Sequence, residues 1–174
     1  MVGETVNNIE IINNVINISE KGNKYSFDCQ RLSLFSTDVR DYEIEYVFAD
    51  LKNDYLTVIT TVASGQAGII AVVDIREDDI IHFQNGAYAI SAMVADNKVI
   101  SFHDVSSYGH APFYTIDVID FGNMNMDVEP KSMNAAYESD FYNGIETISM
   151  SLDGTALILS NGNITYTEDI SDLI

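Results

Sequence analysis

An internal repeat with an offset of 44 residues constrains the fold of this chain more than any other feature. Residues 55–75 (YLTVITTVASGQAGIIAVVDI) align with residues 99–119 (VISFHDVSSYGHAPFYTIDVI), so that Val72 meets Ile116. Both copies predict a strand, a glycine-bearing loop and a second strand, and each copy follows a further strand and a short turn. The chain is therefore expected to consist of similar small antiparallel units.

A repeated phrase marks where such units begin. FQNGAYAIS, from Phe83, and FYNGIETIS, from Phe141, share Phe, Asn, Gly, Ile and Ser at the same places. Asn-Gly favours a tight turn because both residues tolerate a positive φ, and the alternating segment that follows predicts a first strand. After the second phrase, Asp-Gly at 153–154 and Asn-Gly at 161–162 predict two-residue turns in a three-stranded meander. An earlier, more degraded unit is predicted in residues 8–37, so that four units of about 44 residues nearly fill the chain.

Repeats of about 40 to 45 residues built from short antiparallel strands are typical of β-propeller blades. The phrase APFYTIDVID, residues 111–120, is similar to the outer strand of a WD-type blade that ends in an acidic residue. The resemblance implies an all-β fold in which antiparallel meanders of about 44 residues form a propeller-like or half-propeller array. A β-sandwich built from the same meanders is the alternative.

Length and local pattern add two further expectations. The chain has 174 residues, and a chain of this size buries about 70% of its unfolded surface, which predicts one domain over residues 1–174. One short helix is predicted near residues 130–142, where Pro130 suits the first helical turn and two alanines follow.

The composition is that of a folded acidic protein. Eight basic residues face 27 acidic ones, a formal charge of −19, yet 47% of the residues are hydrophobic, which is more than an acidic disordered tail contains. The single cysteine, Cys29, is expected to be a small buried residue. The N-terminal sequence has no basic region before an apolar run, and no stretch reaches about 20 apolar residues, so we expect a cytoplasmic protein without a membrane partner.

The sequence offers few residues for catalysis. His103 and His110 are candidates for the acid and base of a hydrolase, but the surrounding charge is negative and repels a nucleic-acid substrate. A relay from His103 to Asp104 is not expected, because adjacent side chains on a strand point to opposite faces. Four polar residues alternate over residues 123–129, a pattern that suits solvated edge residues better than a cation site, and no phosphate-binding glycine motif occurs. We therefore predict no enzyme, no cofactor and no metal.

The acidic residues are unevenly distributed and fall mostly at turns and strand ends. Residues 99–174 contain 12 acidic residues and one base, Lys131. On a propeller-like body the connecting loops gather on two faces, so these carboxylates would form a negative patch that attracts a basic protein. Tyrosines lie among the acids, and Tyr is a frequent anchor of protein interfaces. The predicted partner-binding residues are Glu77, Asp78, Asp79, Tyr108, Asp127, Glu129, Tyr137, Glu138, Asp140, Tyr142, Glu168, Asp169 and Asp172.

A small, acidic, cytoplasmic and noncatalytic profile resembles that of bacterial immunity proteins. The resemblance implies an inhibitor that neutralises a basic nuclease toxin of the contact-dependent inhibition type. A DNA-mimicking inhibitor of a restriction or CRISPR enzyme has a related profile, but the tyrosines favour a protein interface. Two functions of a different class compete with inhibition. One is a hydrolase that uses His103 and His110, and the second is a structural propeller subunit of a larger assembly.

Overall fold

The computed structural model describes residues 8–104, 114–121, 131–134, 147–151, 154–160 and 162–174. It divides into two compact units, Met1–Ala87 and Tyr88–Ile174. Every strand pair among the described residues is antiparallel, and most of these residues lie in strands, so the prediction of an all-β fold is confirmed. One domain over residues 1–174 stays a prediction.

The first unit contains two antiparallel meanders joined by short helices. One sheet consists of β1 (Asn8–Ile12), β2 (Val15–Glu20) and β3 (Asn23–Asp28) in sequential order. The other consists of β4 (Tyr46–Lys52), β5 (Tyr55–Val62), β6 (Ala67–Asp74) and β7 (Asp79–Asn85), also in sequential order. Between the sheets the chain forms a 3₁₀ helix (Cys29–Leu34) and the α-helix α1 (Thr37–Asp41).

The tight turns of this unit form where the sequence predicts them. Asn13 and Asn14 join β1 to β2, Asn53 and Asp54 join β4 to β5, and all four residues have positive φ. Such two-residue turns match the right-handed twist of the strands that they connect, and Asn and Asp tolerate the left-handed conformation. The segment Ala63–Gly65 between β5 and β6 also has positive φ throughout, so it is a turn rather than a helix.

The sequence does not predict the two helices between β3 and β4, which form because side-chain caps start them. Asp28 accepts a hydrogen bond from the backbone N of Gln30 at 2.9 Å, and Ser36 accepts one from the backbone N of Val39 at 3.4 Å. The two helices bury Cys29, Leu32 and Val39. Burial, reinforced by the charge of Asp28, raises the pKa of the Cys29 thiol to about 12, so this cysteine is the small buried residue that the sequence predicts.

The core of the first unit contains side chains from both sheets and both helices. Its buried members are Ile16, Ile18, Phe27, Cys29, Leu32, Val39, Ile44, Leu51, Leu56, Val58, Val62, Ile69, Ala71, Val73 and Ile75.

The second unit also contains one four-stranded and one three-stranded meander, in the opposite order along the chain. One sheet consists of β8 (Ala89–Ala95), β9 (Lys98–Asp104), β10 (Tyr114–Asp120) and β11 (Lys131–Asn134). The other consists of β12 (Thr147–Met150), β13 (Ala156–Ser160) and β14 (Thr165–Asp169). The buried core comprises Met93, Ile100, Phe102, Ile116, Val118, Leu157, Leu159, Ile170 and Leu173.

The short helix predicted near residues 130–142 is wrong where the structure describes that segment. Residues Lys131–Asn134 form β11, with Lys131 opposite Val118 and Asn134 opposite Thr115. The local helix signals are weak, and hydrogen bonding to the edge of β10 overrides them. The remainder of the predicted helix lies outside the described residues.

The two-residue turns predicted in the last meander are also wrong. Ser160 lies opposite Thr165, and Met150 lies opposite Leu157, so both connections are longer. The Ser151 hydroxyl accepts a hydrogen bond from the backbone N of Ala156 at 2.9 Å, and the Ser160 hydroxyl accepts one from that of Gly162 at 3.2 Å. These serine contacts stabilise wider loops than the glycines alone indicate.

The repeat is real, but its offset changes by one residue between strands. Thr57 lies opposite Val72, whereas Ser101, 44 residues after Thr57, lies opposite Asp117. The structural counterpart of Val72 is therefore Asp117 and not Ile116. Ser101 and Asp117 are one residue further apart in the sequence than Thr57 and Val72 are. A fixed offset of 44 would therefore assign the counterpart of Val72 to the wrong face of the sheet.

The first repeated phrase joins two sheets and does not form a hairpin. β7 pairs with β6 while β8 pairs with β9, and β8 begins at Ala89, shortly after the Asn-Gly of the phrase, as predicted. Gly86 is required for close approach rather than for a positive φ, because a Cβ there would lie 2.6 Å from the carbonyl carbon of Ile69. Its backbone N also donates to the carbonyl oxygen of Gly68 at 3.1 Å.

Candidate functional site

The connection between β6 and β7, residues 74–79, is an ordered acidic turn. The Asp74 carboxylate accepts hydrogen bonds from the backbone N of Arg76 at 2.9 Å and of Glu77 at 3.2 Å. The backbone N of Ile75 donates to the carbonyl oxygen of Asp54 at 3.1 Å. Aspartate favours this local bonding, which fixes the backbone of the turn and thus the directions of its acidic side chains.

Two arginines bind acids of this turn and of the adjacent β4–β5 turn. Arg31 of the 3₁₀ helix contacts the Asp78 carboxylate at 2.5 Å and donates to the Asp78 carbonyl oxygen at 2.9 Å. The Arg31 guanidinium also lies 5.0 Å from the centre of the Phe27 ring. Arg76 contacts the Asp54 carboxylate at 2.6 Å. Both guanidinium groups are therefore paired with carboxylates of the protein itself, and Arg31 connects the 3₁₀ helix to the acidic turn.

These arginines position the acidic turn without neutralising it. Two guanidinium groups face five carboxylates, a local charge of −3. The side chain of Asp78 remains 70% exposed, and Glu77 and Asp79 are exposed as well. Among the described residues, no cation lies within salt-bridge distance of Glu77 or Asp79. The five carboxylates are those of Asp54, Asp74, Glu77, Asp78 and Asp79.

The other predicted partner-binding residues that the structure describes lie in the second unit. Asp169 and Asp172 are exposed, and the Asp169 carboxylate accepts a hydrogen bond from the backbone N of Ser171 at 2.9 Å. Glu168 differs from the expectation, since it is only 4% exposed and lies opposite the buried Leu157. Alternation along β14 turns this side chain away from solvent, so we leave Glu168 out of the candidate surface.

The remaining predicted residues fall outside the part of the chain that the structure describes. They are Tyr108, Asp127, Glu129, Tyr137, Glu138, Asp140 and Tyr142. The acidic turn of the first unit is therefore the largest group of predicted site residues that the described structure brings together.

A largely buried polar cluster in the second unit, in which only the Asp117 side chain is partly exposed, was missed by sequence reasoning. The Nε2 atom of His103 lies 2.9 Å from the Ser101 hydroxyl and 3.5 Å from the Asp117 carboxylate. Ser101 and His103 share a face of β9, and Asp117 lies directly opposite Ser101 on β10. The Ser-x-His spacing was visible in the sequence, but the approach of Asp117 depends on the pairing register.

This cluster does not have the geometry of a nucleophilic triad. A triad places the hydroxyl on one imidazole nitrogen and the carboxylate on the other, whereas both groups here approach Nε2 of His103. The His103 side chain is also only 7% exposed. The second histidine of the predicted hydrolase, His110, lies outside the described residues.

The repeat provides an internal comparison for the polar cluster. The positions of Ser101, His103 and Asp117 correspond to Thr57, Ile59 and Val72 in the first unit, where all three residues are buried. The same place in the sheet therefore accepts either an apolar or a polar set of side chains. The fold itself does not require the histidine.

Two further titratable groups lie on the edge strands of the first unit. Burial lowers the pKa of His82 on β7 from its ordinary value, although the Gln84 side chain, 3.4 Å away, opposes this shift. Burial raises the pKa of the Asp50 carboxyl on β4, partly offset by a backbone hydrogen bond from Leu51. Desolvation causes both shifts, since it disfavours the charged form of each group.

Within the described segments, no helix is long and apolar enough to cross a membrane. In the same segments, no group of three or more His, Cys, Asp or Glu side chains is arranged to hold a metal ion. In comparisons with known proteins, no family model matches the chain, and no curated protein matches it either.

Proposed function

We propose that this chain is an acidic binding protein that neutralises a basic partner protein, as an immunity protein does when it inhibits a nuclease toxin. The observation that carries the proposal is the acidic turn of residues 74–79, which is ordered by its own hydrogen bonds and keeps a net negative charge. The two neighbouring arginines are already engaged, so a further cation would have to come from a partner.

Order and charge together suit such a partner. Exposed carboxylates on a fixed backbone require little additional ordering when they bind, which lowers the entropic cost of association. The total charge of −19 attracts a basic protein over a long range and repels nucleic acid. The active cleft of a nuclease must bind phosphates and is therefore cationic, which makes it complementary to this surface. Bacterial cytoplasm is the compartment that such an inhibitor requires.

The proposal includes a propeller-like or half-propeller array of the four meanders. Support comes from the two four-stranded sheets, which share one sequential strand order. In each of them a middle strand, β5 or β9, is buried on both faces, as is expected of a strand inside a stack of blades. An experimental structure with the meanders packed as a two-layer sandwich would contradict this part of the proposal.

The test uses the basic protein encoded by the neighbouring gene as the binding probe, because toxin and inhibitor genes are usually adjacent. Replacing Glu77→Gln and Asp79→Asn together should slow association on the order of 10-fold at low salt, because the two exposed charges contribute to steering. The matched control replaces Glu10→Gln and Glu43→Gln, two exposed acids of the same unit outside the turn. Equal association rates for the two double variants would contradict the proposed role of the turn.

A further inference from the structure

We propose that the acidic turn is the charged half of a mixed acidic and apolar surface, and that the partner presents an apolar side chain beside its basic ones. This inference rests on the proposed function and specifies the partner's chemistry. The surface, called the mixed surface below, consists of the acidic turn, the end of the 3₁₀ helix and the exposed side of β7.

Exposed apolar side chains continue from the acidic turn. Leu34 is 82% exposed, the next residue Phe35 is 40% exposed, and Phe83 on β7 is 36% exposed. The rings of Phe35 and Phe83 are in contact, with centroids 4.5 Å apart. Single exposed apolar residues are ordinary on protein surfaces, but an exposed ring pair next to an exposed leucine in the sequence indicates an interaction site.

The helix geometry connects the apolar group to the acids. In a 3₁₀ helix, side chains three residues apart lie on the same side, so Leu34 lies above Arg31. The Arg31 side chain contacts both the carboxylate and the carbonyl oxygen of Asp78. Arg31 therefore links Leu34 to the acidic turn. A segment of a partner protein that binds here would meet a carboxylate and an apolar side chain in the same region.

A small pocket lies beside the same carboxylate. Its lining includes Tyr25, Phe27 and Ile75 together with Asp78. Lysine and arginine place their alkyl stems against apolar surface while the charged group stays in contact with a carboxylate or water. The pocket holds no more than about one water molecule, so the stem of a partner's basic side chain would lie over its apolar rim rather than enter it, with its charge near Asp78.

The negative charge of the mixed surface determines which kind of molecule can bind there. The turn carries a local charge of −3, and a second copy of this chain carries −19, so pairing of two copies through this face brings like charges together. A basic segment with an apolar anchor satisfies both halves of the surface. We therefore assign the mixed surface to a heterologous basic partner rather than to self-association.

The experiment uses two synthetic probe peptides of equal length and equal positive charge. One alternates lysine with leucine, and the other alternates lysine with serine. Fluorescence anisotropy measures their binding to the full chain at about 50 mM and about 300 mM NaCl, concentrations that differ strongly in electrostatic screening. The leucine peptide should bind about 10-fold more tightly than the serine peptide, because an anchored apolar side chain is worth roughly one decade in affinity.

Variants of the chain assign that preference to the mixed surface. Leu34→Ser should reduce the preference for the leucine peptide to about 2-fold, since the anchor site is lost. Leu34 is mostly exposed, so its replacement should leave the thermal unfolding curve unchanged. The matched control is Ile164→Ser in the second unit, where Ile164 is 51% exposed, and this variant should bind both peptides as the wild type does.

The outcomes separate this inference from the proposed function. If both peptides bind equally and Leu34→Ser has no effect, while Glu77→Gln with Asp79→Asn still weakens binding, the apolar inference is overturned and the acidic function stands. If the charge variant binds both peptides as tightly as the wild type does, the proposed function fails. A dimer in sedimentation that Leu34→Ser abolishes would overturn the assignment to a heterologous partner.

Discussion

Arg31 and Asp78 show how one ion pair positions a charge without cancelling it. The carboxylate is 70% exposed and the guanidinium 35% exposed, and pairs in such positions contribute roughly 0 to 1 kcal/mol to stability. The larger effect of the contact is geometric, because it joins the 3₁₀ helix to a turn 47 residues further along the chain. At the residue scale, the candidate site therefore depends on the position in which Arg31 holds Asp78.

Gly86 provides the residue-scale prediction. Gly86→Ala should destabilise the protein by about 1 to 3 kcal/mol, because the added methyl group meets backbone atoms of Ile69 that have little freedom to move. Urea unfolding followed by circular dichroism measures the change. Gly22→Asn is the control, since a Cβ at Gly22 meets no atom within 4 Å and Asn tolerates the positive φ there. A loss as large in the control as at Gly86 would contradict the close-approach explanation.

At the scale of elements, the two four-stranded sheets share a plan but differ on one buried face. The first unit has Thr57, Ile59 and Val72 there, and the second has Ser101, His103 and Asp117. Removing one member of a buried polar cluster takes one hydrogen-bond partner from each of the others, whereas replacing the whole set removes the need for these bonds. The cluster's contribution to stability can therefore be measured by comparing a single replacement with replacement of the whole set.

Grafting the first unit's residues onto the second should therefore be tolerated. The triple variant Ser101→Thr, His103→Ile and Asp117→Val should retain wild-type stability within about 1 kcal/mol, while His103→Ile alone should lose about 1 to 3 kcal/mol. Urea unfolding compares the two variants. The triple variant should also inhibit the partner protein as the wild type does, whereas loss of inhibition with the fold intact would favour the hydrolase alternative.

The edge strand β7 gives a pH prediction through His82. Because burial lowers its pKa in the folded state, the unfolded chain binds more protons below the ordinary value of 6.5, and stability is lost as pH falls through this range. His82→Gln should flatten the dependence of unfolding free energy on pH between about 7 and about 5. A curve as steep in the variant as in the wild type would show that another group causes the loss.

Some elements that depend on local sequence were predicted, but the local caps at Asp28 and Ser36 and the longer loops of the last meander were not, and neither were elements that depend on distant partners. The turn at Asn53 and Asp54 follows from residues that tolerate a positive φ, so the pattern alone indicates it. β11 forms because the edge of β10 is available, which no local signal encodes. Likewise, Glu77 to Asp79 were predicted as exposed acids, but their connection to Arg31 and Leu34 requires the folded chain.

At the scale of the whole molecule, net charge is the property from which we infer the kind of partner. A formal charge of −19 over 174 residues repels polyanions and gives every cationic macromolecule a favourable approach. The field alone is not specific, so the mixed surface around the acidic turn supplies the local chemistry that would select one basic partner. Long-range attraction should then determine the association rate, while the apolar contacts should determine how long the complex lasts.

The salt dependence of association tests this account most directly. Stopped-flow measurements with the basic protein encoded by the neighbouring gene should show an association rate that falls at least about 10-fold between about 50 mM and about 500 mM NaCl, while the dissociation rate changes little. An association rate that is independent of salt would contradict the claim that the acidic turn recruits a basic partner.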